Sequence, residues 1–419
     1  MHCRHCRTLL SQAFIDLVNQ PPSNAFLTAA QLDEPEIFYP LKLFTCPCCF
    51  LVQVDEYKKS QEIFSRDYVY FSSYSRSWVE HAERYVDMAV ERFGLGGNSL
   101  VMEIASNDGY LLQFLVQRGI PCLGIEPSTA TADAARSRGV ESVTEFFSTA
   151  LAERLRSQGC RPDLIVGNNV LAHVPDINDF LAGMRLLLKP DGIITLEFPH
   201  LMRMVEGNQF DTIYHEHFSY LSLGTVRTIL ASQGLRLFDV EQLSTHGGSL
   251  RVYACHAEDA ARSASPAVDA LLAVEEGRGM RTMAYYEGFQ RSAEAVKADL
   301  LTFLIEQKRA GRLVAAYGAA AKGNTLLNYC GVKTDLVAFC ADASPHKQGL
   351  FMPGSHIPVL PPEAVAERKP DVLLILPWNI KGEIMEQLAE VREWGGCFAL
   401  AIPRLELLSP VGPGRRGTC

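Results

Sequence analysis

From about residue 80 the chain alternates short apolar runs with amphipathic helical stretches, and nothing else in it restricts the fold as much. SLVMEIASNDGYLLQFLVQRG reads as a strand, a tight polar turn and a helix, and PCLGIEPS follows as a second strand with Glu126 at its carboxyl end. PDLIVGNNVLAHVPD supplies a later strand. DFLAGMRLLLKPDGIITLEFPH supplies a helix, a Pro-Asp-Gly turn and another strand. Such alternation predicts a doubly wound parallel sheet of the α/β class, because parallel neighbours need a crossover that a helix fills. Ligands of these sheets bind outside the carboxyl ends of the strands. After a long helical tract at about 260–310, RLVAAYGAAAKGNTLLNYCG, DLVAFCADASPHKQG and KPDVLLILPWN repeat the pattern and predict a second α/β domain. At 419 residues the chain is too long for one core. The expected division is 1–70, 71–255 and 256–409, with a flexible tail at 410–419.

The polar turn discriminates between cofactors. A dinucleotide fold wants G-x-G-x-x-G so that bare backbone can approach a pyrophosphate. E-I-A-S-N-D-G keeps only Gly109 and puts polar side chains in that place, which suits a cationic sulfonium with an amino-acid tail, S-adenosylmethionine. An acid ending the second strand can accept both ribose hydroxyls, a role that NAD and S-adenosylmethionine sites share. The helix–KPDG–strand unit resembles the later part of class I methyltransferases. On that resemblance Glu103, Ala105, Asn107 and Gly109 in the turn, Glu126 and Pro127 at the ribose, and Asn168 and Asn169 near the fourth strand are cofactor residues. Ala105 and Asn107 stand where the usual methyltransferase turn has glycines. Just upstream, YVYFSSYSRSWVEHA reads either as a lid, with Tyr68 or Tyr70 reaching the methionine portion, or as packing.

At the N-terminus, Cys3-x2-Cys6 and Cys46-x2-Cys49 form a four-thiolate set suited to tetrahedral Zn²⁺. FYPLKLFTCPCC reads as a strand feeding a zinc ribbon, with Cys48 a spare between ligands. Four thiolates leave the ion no open position, so its expected role is structural.

Tyr214-His215-Glu216-His217 concentrates proton-handling groups in four positions. The zinc-hydrolase string is H-E-x-x-H, whose imidazoles share a helix face. Here they lie two apart and share a face only in extended chain. Further on, STHGGSLRVYA sets Gly247 and Gly248 before Ser249 and Arg251, a turn whose amides and guanidinium suit a phosphate. A glycine turn entering a strand is the alternative.

These pieces together resemble the sugar C-methyltransferases of deoxysugar biosynthesis: a two-knuckle zinc ribbon, YHEH after the fifth methyltransferase strand, HGGSLR and a C-terminal α/β domain. Phe50 departs from that pattern, replacing the glycine usual after the last knuckle cysteine. The resemblance implies methylation at C3 of a nucleotide-linked 4-keto-deoxyhexose, dTDP-linked as a rule. His217 is then the base, Tyr214 and His173 are hydrogen-bond donors near the enolate, and Glu216 orients these groups or contacts the sugar. It implies that Gly318, Lys322, Gly323 and Asn324 face the diphosphate at the first strand–helix junction of the C-terminal domain.

A net charge of −9 argues against nucleic acid as a partner, which needs clustered Lys and Arg. No apolar run reaches membrane-spanning length, no secretion signal opens the chain, and twelve cysteines fit a reducing cytoplasm. A monomer is expected. The alternatives are O- or N-methylation of another small molecule, or an oxidoreductase binding NAD in the C-terminal domain.

Overall fold

The computed structural model describes residues 1–57 and 71–408. Tyr68, Tyr70 and the tail at 410–419 lie outside the described residues.

The chain opens with antiparallel strands β1 (Ala13–Gln20), β2 (Tyr39–Thr45) and β3 (Val52–Val54). Alternate residues Ile15 and Leu17 of β1, and Leu41 and Leu43 of β2, point into a small core, while all three residues of β3 are buried. The parallel core follows as β4 (Val101–Ile104), β5 (Cys122–Ile125), β6 (Ser142–Val143), β7 (Leu164–Asn168) and β8 (Ile193–Pro199). Strands β9 (Ser219–Tyr220), β10 (Leu235–Leu243) and β11 (Ser249–His256) follow. Strand β9 leaves this domain to pair with β3, closing the first sheet as β1-β2-β3-β9. The other seven form one sheet ordered β10-β11-β8-β7-β4-β5-β6. β4 to β8 run parallel, and β11 enters antiparallel between β8 and β10. This is the class I methyltransferase arrangement.

Helix 76–93 covers one flank. Ser75 caps it by accepting the Trp78 N–H, and Gly94 ends it in the left-handed conformation. Its buried face is Ala82, Tyr85, Val86 and Ala89, at helical spacing.

The last sheet holds β12 (Val314–Tyr317), β13 (Cys340–Ala341), β14 (Val359–Leu360), β15 (Val372–Ile375), β16 (Cys397–Leu400) and β17 (Glu406–Leu408). Their order is β14-β13-β12-β15-β16-β17, parallel except for β17. The sequence order reverses between β12 and β15, which makes their carboxyl ends the expected ligand position. Among the described residues no helix is long and apolar enough to cross a membrane.

Candidate active site and metal knuckles

The sulfurs of Cys3, Cys6, Cys46 and Cys49 all lie within 4.8 Å of one another. Cys3 and Cys49 are 3.6 Å apart and Cys6 and Cys46 3.4 Å. A tetrahedral zinc with bonds of ~2.3 Å would set its sulfurs about 3.8 Å apart, a spacing that lies within the range of the sulfur–sulfur separations here, so the donors fit Zn²⁺ with small adjustments. Each knuckle turns by the same device. Arg7 and Phe50, directly after the second cysteine, take φ of 63° and 59° and donate their N–H groups to the carbonyls of Cys3 and Cys46. Phe50 thus occupies a conformation that favours glycine, and its ring stacks on Tyr286 at 6.1 Å. Cys48 is exposed and outside the set.

One cleft of about 890 Å³ is lined by residues of all three sheets' domains. On the methyltransferase side lie Ala105, Asn107, Glu126, Pro127, Asn168 and Asn169 at the carboxyl ends of β4, β5 and β7. Ala105, Asn107 and Asn169 have φ of 58°, 49° and 52°, so the turn keeps the left-handed backbone that glycines usually supply. The Glu126 carboxylate accepts the N–H groups of Asn107 and Ser128, each at 2.9 Å, which aims it at the cleft. Burial raises its pKa. Glu103 lies beneath the turn, its carboxyl pushed well above the usual range by burial. Gly109 is packed against helix 129–137, where a Cβ would meet Ala135 at 3.1 Å; it shapes the turn and does not line the cleft. Of these, Ala105, Asn107, Glu126, Pro127, Asn168 and Asn169 line the cleft and could hold S-adenosylmethionine, with the Glu126 carboxylate suited to the ribose.

Tyr214 to His217 form a tight turn, closed by the His217 N–H donating to the Tyr214 carbonyl at 3.0 Å. The ends of the turn meet: the Tyr214 and His217 ring centroids are 4.0 Å apart. Its corners serve the N-terminal domain. His215 reaches the Pro40 carbonyl at 3.2 Å, and Glu216 accepts Asn24 at 2.9 Å. His215, Glu216 and His217 thus each hold a different partner while all lining the cleft, and among the described residues only the four cysteines form a group suited to a metal. His217 donates Nδ1–H to the Thr212 carbonyl at 3.0 Å, which fixes the tautomer and leaves Nε2 as the basic nitrogen. Burial, then the neighbouring His173, hold its pKa well below the ordinary value. His173 packs edge-on to it at 4.6 Å, and burial lowers that imidazole to about 4.

Lys322 enters the cleft from the C-terminal domain. Its companions behave differently from the expectation. A Cβ on Gly318 would strike Pro377 at 2.5 Å, and one on Gly323 would strike Leu376 at 2.7 Å, so both glycines let the β12 turn pack on the end of β15. Asn324 is buried and donates to the Ser23 carbonyl at 2.7 Å, joining two domains. None of the three lines the cleft.

The HGGSLR segment departs further. Arg251 is buried, with its guanidinium on Glu197 at 2.7 Å and Glu241 at 3.2 Å. A cation so committed neutralises Glu197 and is not turned toward a phosphate. Burial works against the Glu197 anion, but His81 and Arg251 hold its pKa below the usual range. Gly247 and Gly248 leave room for Trp378 and Arg203, and Ser249 donates to the Thr245 carbonyl.

Several cleft residues had no place in the sequence reading. His246, inside the quoted STHGGS, faces the cleft, bonds Asn169 at 3.1 Å and is lowered to about 4 by burial. Trp78, with Tyr110 6.0 Å away, adds an aromatic wall, and Asn24 comes from the N-terminal domain. The crowding of aromatics around Trp78 was the one available signal.

A family model described as a C-methyltransferase C-terminal domain matches residues 244–403. A zinc binding domain matches 3–64 and a methyltransferase domain 78–240. The C-methyltransferase NovU of Streptomyces niveus is 37% identical over 374 residues, 89% of each chain. A ubiquinone biosynthesis O-methyltransferase of Bartonella tribocorum is 26% identical over 98 residues, 23% of this chain and 40% of that one. Magnesium protoporphyrin IX methyltransferase from Synechocystis PCC 6803, 18% identical, covers 42% of this chain and 83% of its own with a TM-score of 0.34, too little to bear on function. On the extent of the NovU match and the three family models matched along this chain, it belongs to the C-methyltransferases, S-adenosylmethionine-dependent enzymes with an N-terminal zinc-binding domain.

Proposed function

We propose that the enzyme methylates C3 of a nucleotide-linked 4-keto-deoxyhexose in deoxysugar biosynthesis, with His217 as the base. Methylating carbon needs a carbanion equivalent, and hydrogens beside a ketone are acidic enough for a positioned imidazole to remove. S-Adenosylmethionine, when bound, supplies the methyl as an electrophile. The observation that carries this reading is the Nδ1–H bond from His217 to the Thr212 carbonyl, which leaves a neutral Nε2 in the same cleft as the cofactor turn. Tyr214 and His173, packed against that ring, are suited to donate to the enolate oxygen as charge develops there. Glu216 holds the turn through Asn24. Lys322 is suited to the diphosphate, with dTDP the nucleotide implied by the family pattern.

The test is hydrogen exchange. In D2O with S-adenosylhomocysteine present, wild-type enzyme is expected to wash deuterium into C3 of the keto sugar. His217→Asn should lose exchange and methylation together, by about 10²–10⁴-fold. A variant that still methylates at the wild-type rate removes His217 from the mechanism. NMR of the product separates a C-methyl branch from a methyl ether.

A further inference from the structure

Three consecutive residues just before the Tyr214–His217 turn tie the C-terminal domain to the base. The buried Asp211 carboxylate accepts the Trp378 indole N–H at 2.7 Å. The next carbonyl, of Thr212, orients His217, and that of Ile213 accepts the Thr325 hydroxyl at 2.8 Å. Trp378 turns its ring face to Lys322, whose ammonium lies 4.8 Å from the ring centroid. Asn379 accepts one of its protons at 2.7 Å. The indole therefore stands between a carboxylate at its edge and an ammonium over its face.

The charges bearing on Lys322 come from each neighbouring segment. Asp211, from 210–213, attracts it; His217 and His246 face it as neutral imidazoles; the 377–379 turn offers only Trp378 and the Asn379 amide. A cation set against an aromatic wall, with little other charge around it, stays protonated more readily beside a counter-charge. Burial pulls Lys322 down and Asp211 opposes it, while burial pushes Asp211 up to about 6.

We propose that Asp211 is a positioning residue: through Trp378 it places the Lys322 ammonium in the cleft and keeps it charged for the diphosphate of the sugar nucleotide. This rests on the nucleotide-sugar reading above. A merely architectural tie would weaken all binding alike, whereas a counter-ion acts through pH.

The experiment measures the affinity of dTDP and UDP for the zinc-loaded full-length protein by calorimetry from about pH 6 to about pH 9.5, across the range where a perturbed lysine titrates. Asp211→Asn keeps an acceptor for the indole N–H and removes only the charge. Near the acid end it should bind dTDP about as well as wild type. As pH rises its affinity should fall early, with the alkaline limb displaced downward by about one pH unit, a tenfold loss where wild type still holds. Lys322→Met should bind about tenfold more weakly throughout and show no such limb. Asp211→Asn combined with Lys322→Arg should also lack it, because a guanidinium stays protonated. Superimposable wild-type and Asp211→Asn profiles, or a limb that survives the arginine, overturn the inference. If wild type binds neither nucleotide, the nucleotide-sugar reading falls and takes the inference with it. S-Adenosylhomocysteine binding in each sample reports folding. Should Asp211→Asn fail that control, Trp378→Phe breaks the same tie without changing charge. It should lose dTDP affinity while keeping S-adenosylhomocysteine, and unchanged dTDP affinity would overturn the inference.

Discussion

At the scale of single residues, the cleft is a place where imidazoles are kept neutral. Burial lowers His173 and His246 to about 4, and His217 is lowered as well. In the unfolded chain each would titrate near 6.5. A depressed folded pKa means that the unfolded state takes up the proton first. The contributions of His173 and His246 are therefore complete above about pH 6.5 and are lost as pH falls toward 4, at roughly 1.4 kcal/mol per unit per imidazole. Asp211, Glu103 and Glu126 are shifted upward and lean the other way. The clean observable is thus a difference. Urea midpoints of wild type should fall more steeply between pH 6.5 and 4 than those of a His173→Asn, His246→Asn variant; equal slopes would mean that these rings are not held neutral. The sequence made His217 conspicuous through the Tyr214–His217 string, and His173 through its place just after a strand of the methyltransferase pattern. It hid His246, whose neighbours Gly247 and Gly248 drew the eye as phosphate binders although they serve Trp378 and Arg203. Spacing alone does not say which way a left-handed residue points.

At the scale of elements, the knuckles and the strand–helix alternation were plain, because thiolate spacing and apolar period are local properties of the chain. The exchange of β9 was not, since two residues carry no period and their partner β3 lies far off in sequence. That exchange links the zinc knuckle to the Tyr214–His217 turn. The Cys46–Cys49 knuckle leads straight into β3, β3 pairs with β9, and β9 begins two residues after His217. The Cys49 carbonyl also accepts the Thr225 hydroxyl at 3.1 Å. A small core such as that of the first sheet depends on its ion. Zinc removal by a chelator should therefore lower the melting temperature and reduce methyl transfer severalfold or more, while S-adenosylhomocysteine affinity changes little. Cys48→Ser should leave zinc content and activity as they are, and Cys46→Ser should lose the metal. Full activity in metal-free protein would separate the knuckles from the site.

At the scale of the whole molecule, the site is assembled across domain seams. Asn24 reaches Glu216 from the first domain, Asn324 reaches Ser23 from the third, and Trp378 meets both Asp211 and the bare face of Gly247. Gly247 is the place to wedge the last seam apart. Its φ is 87°, and a Cβ would lie 2.4 Å from the Trp378 ring and 2.8 Å from Gln209. Gly247→Val asks a β-branched residue to take a left-handed conformation, at a cost of roughly 1–2 kcal/mol. The forced contact adds roughly 1–3 kcal/mol of overpacking. The cheapest relief is for Trp378 to swing away, which takes the support from Lys322 and loosens the C-terminal domain, while the β4 turn that would hold the cofactor is untouched. Calorimetry of wild type should show one cooperative transition. The variant should unfold in two steps or at a clearly lower temperature, and lose affinity for dTDP while keeping affinity for S-adenosylhomocysteine. If it instead bound both ligands as wild type does, the Gly247–Trp378 contact would not be what holds Lys322 in place at the cleft.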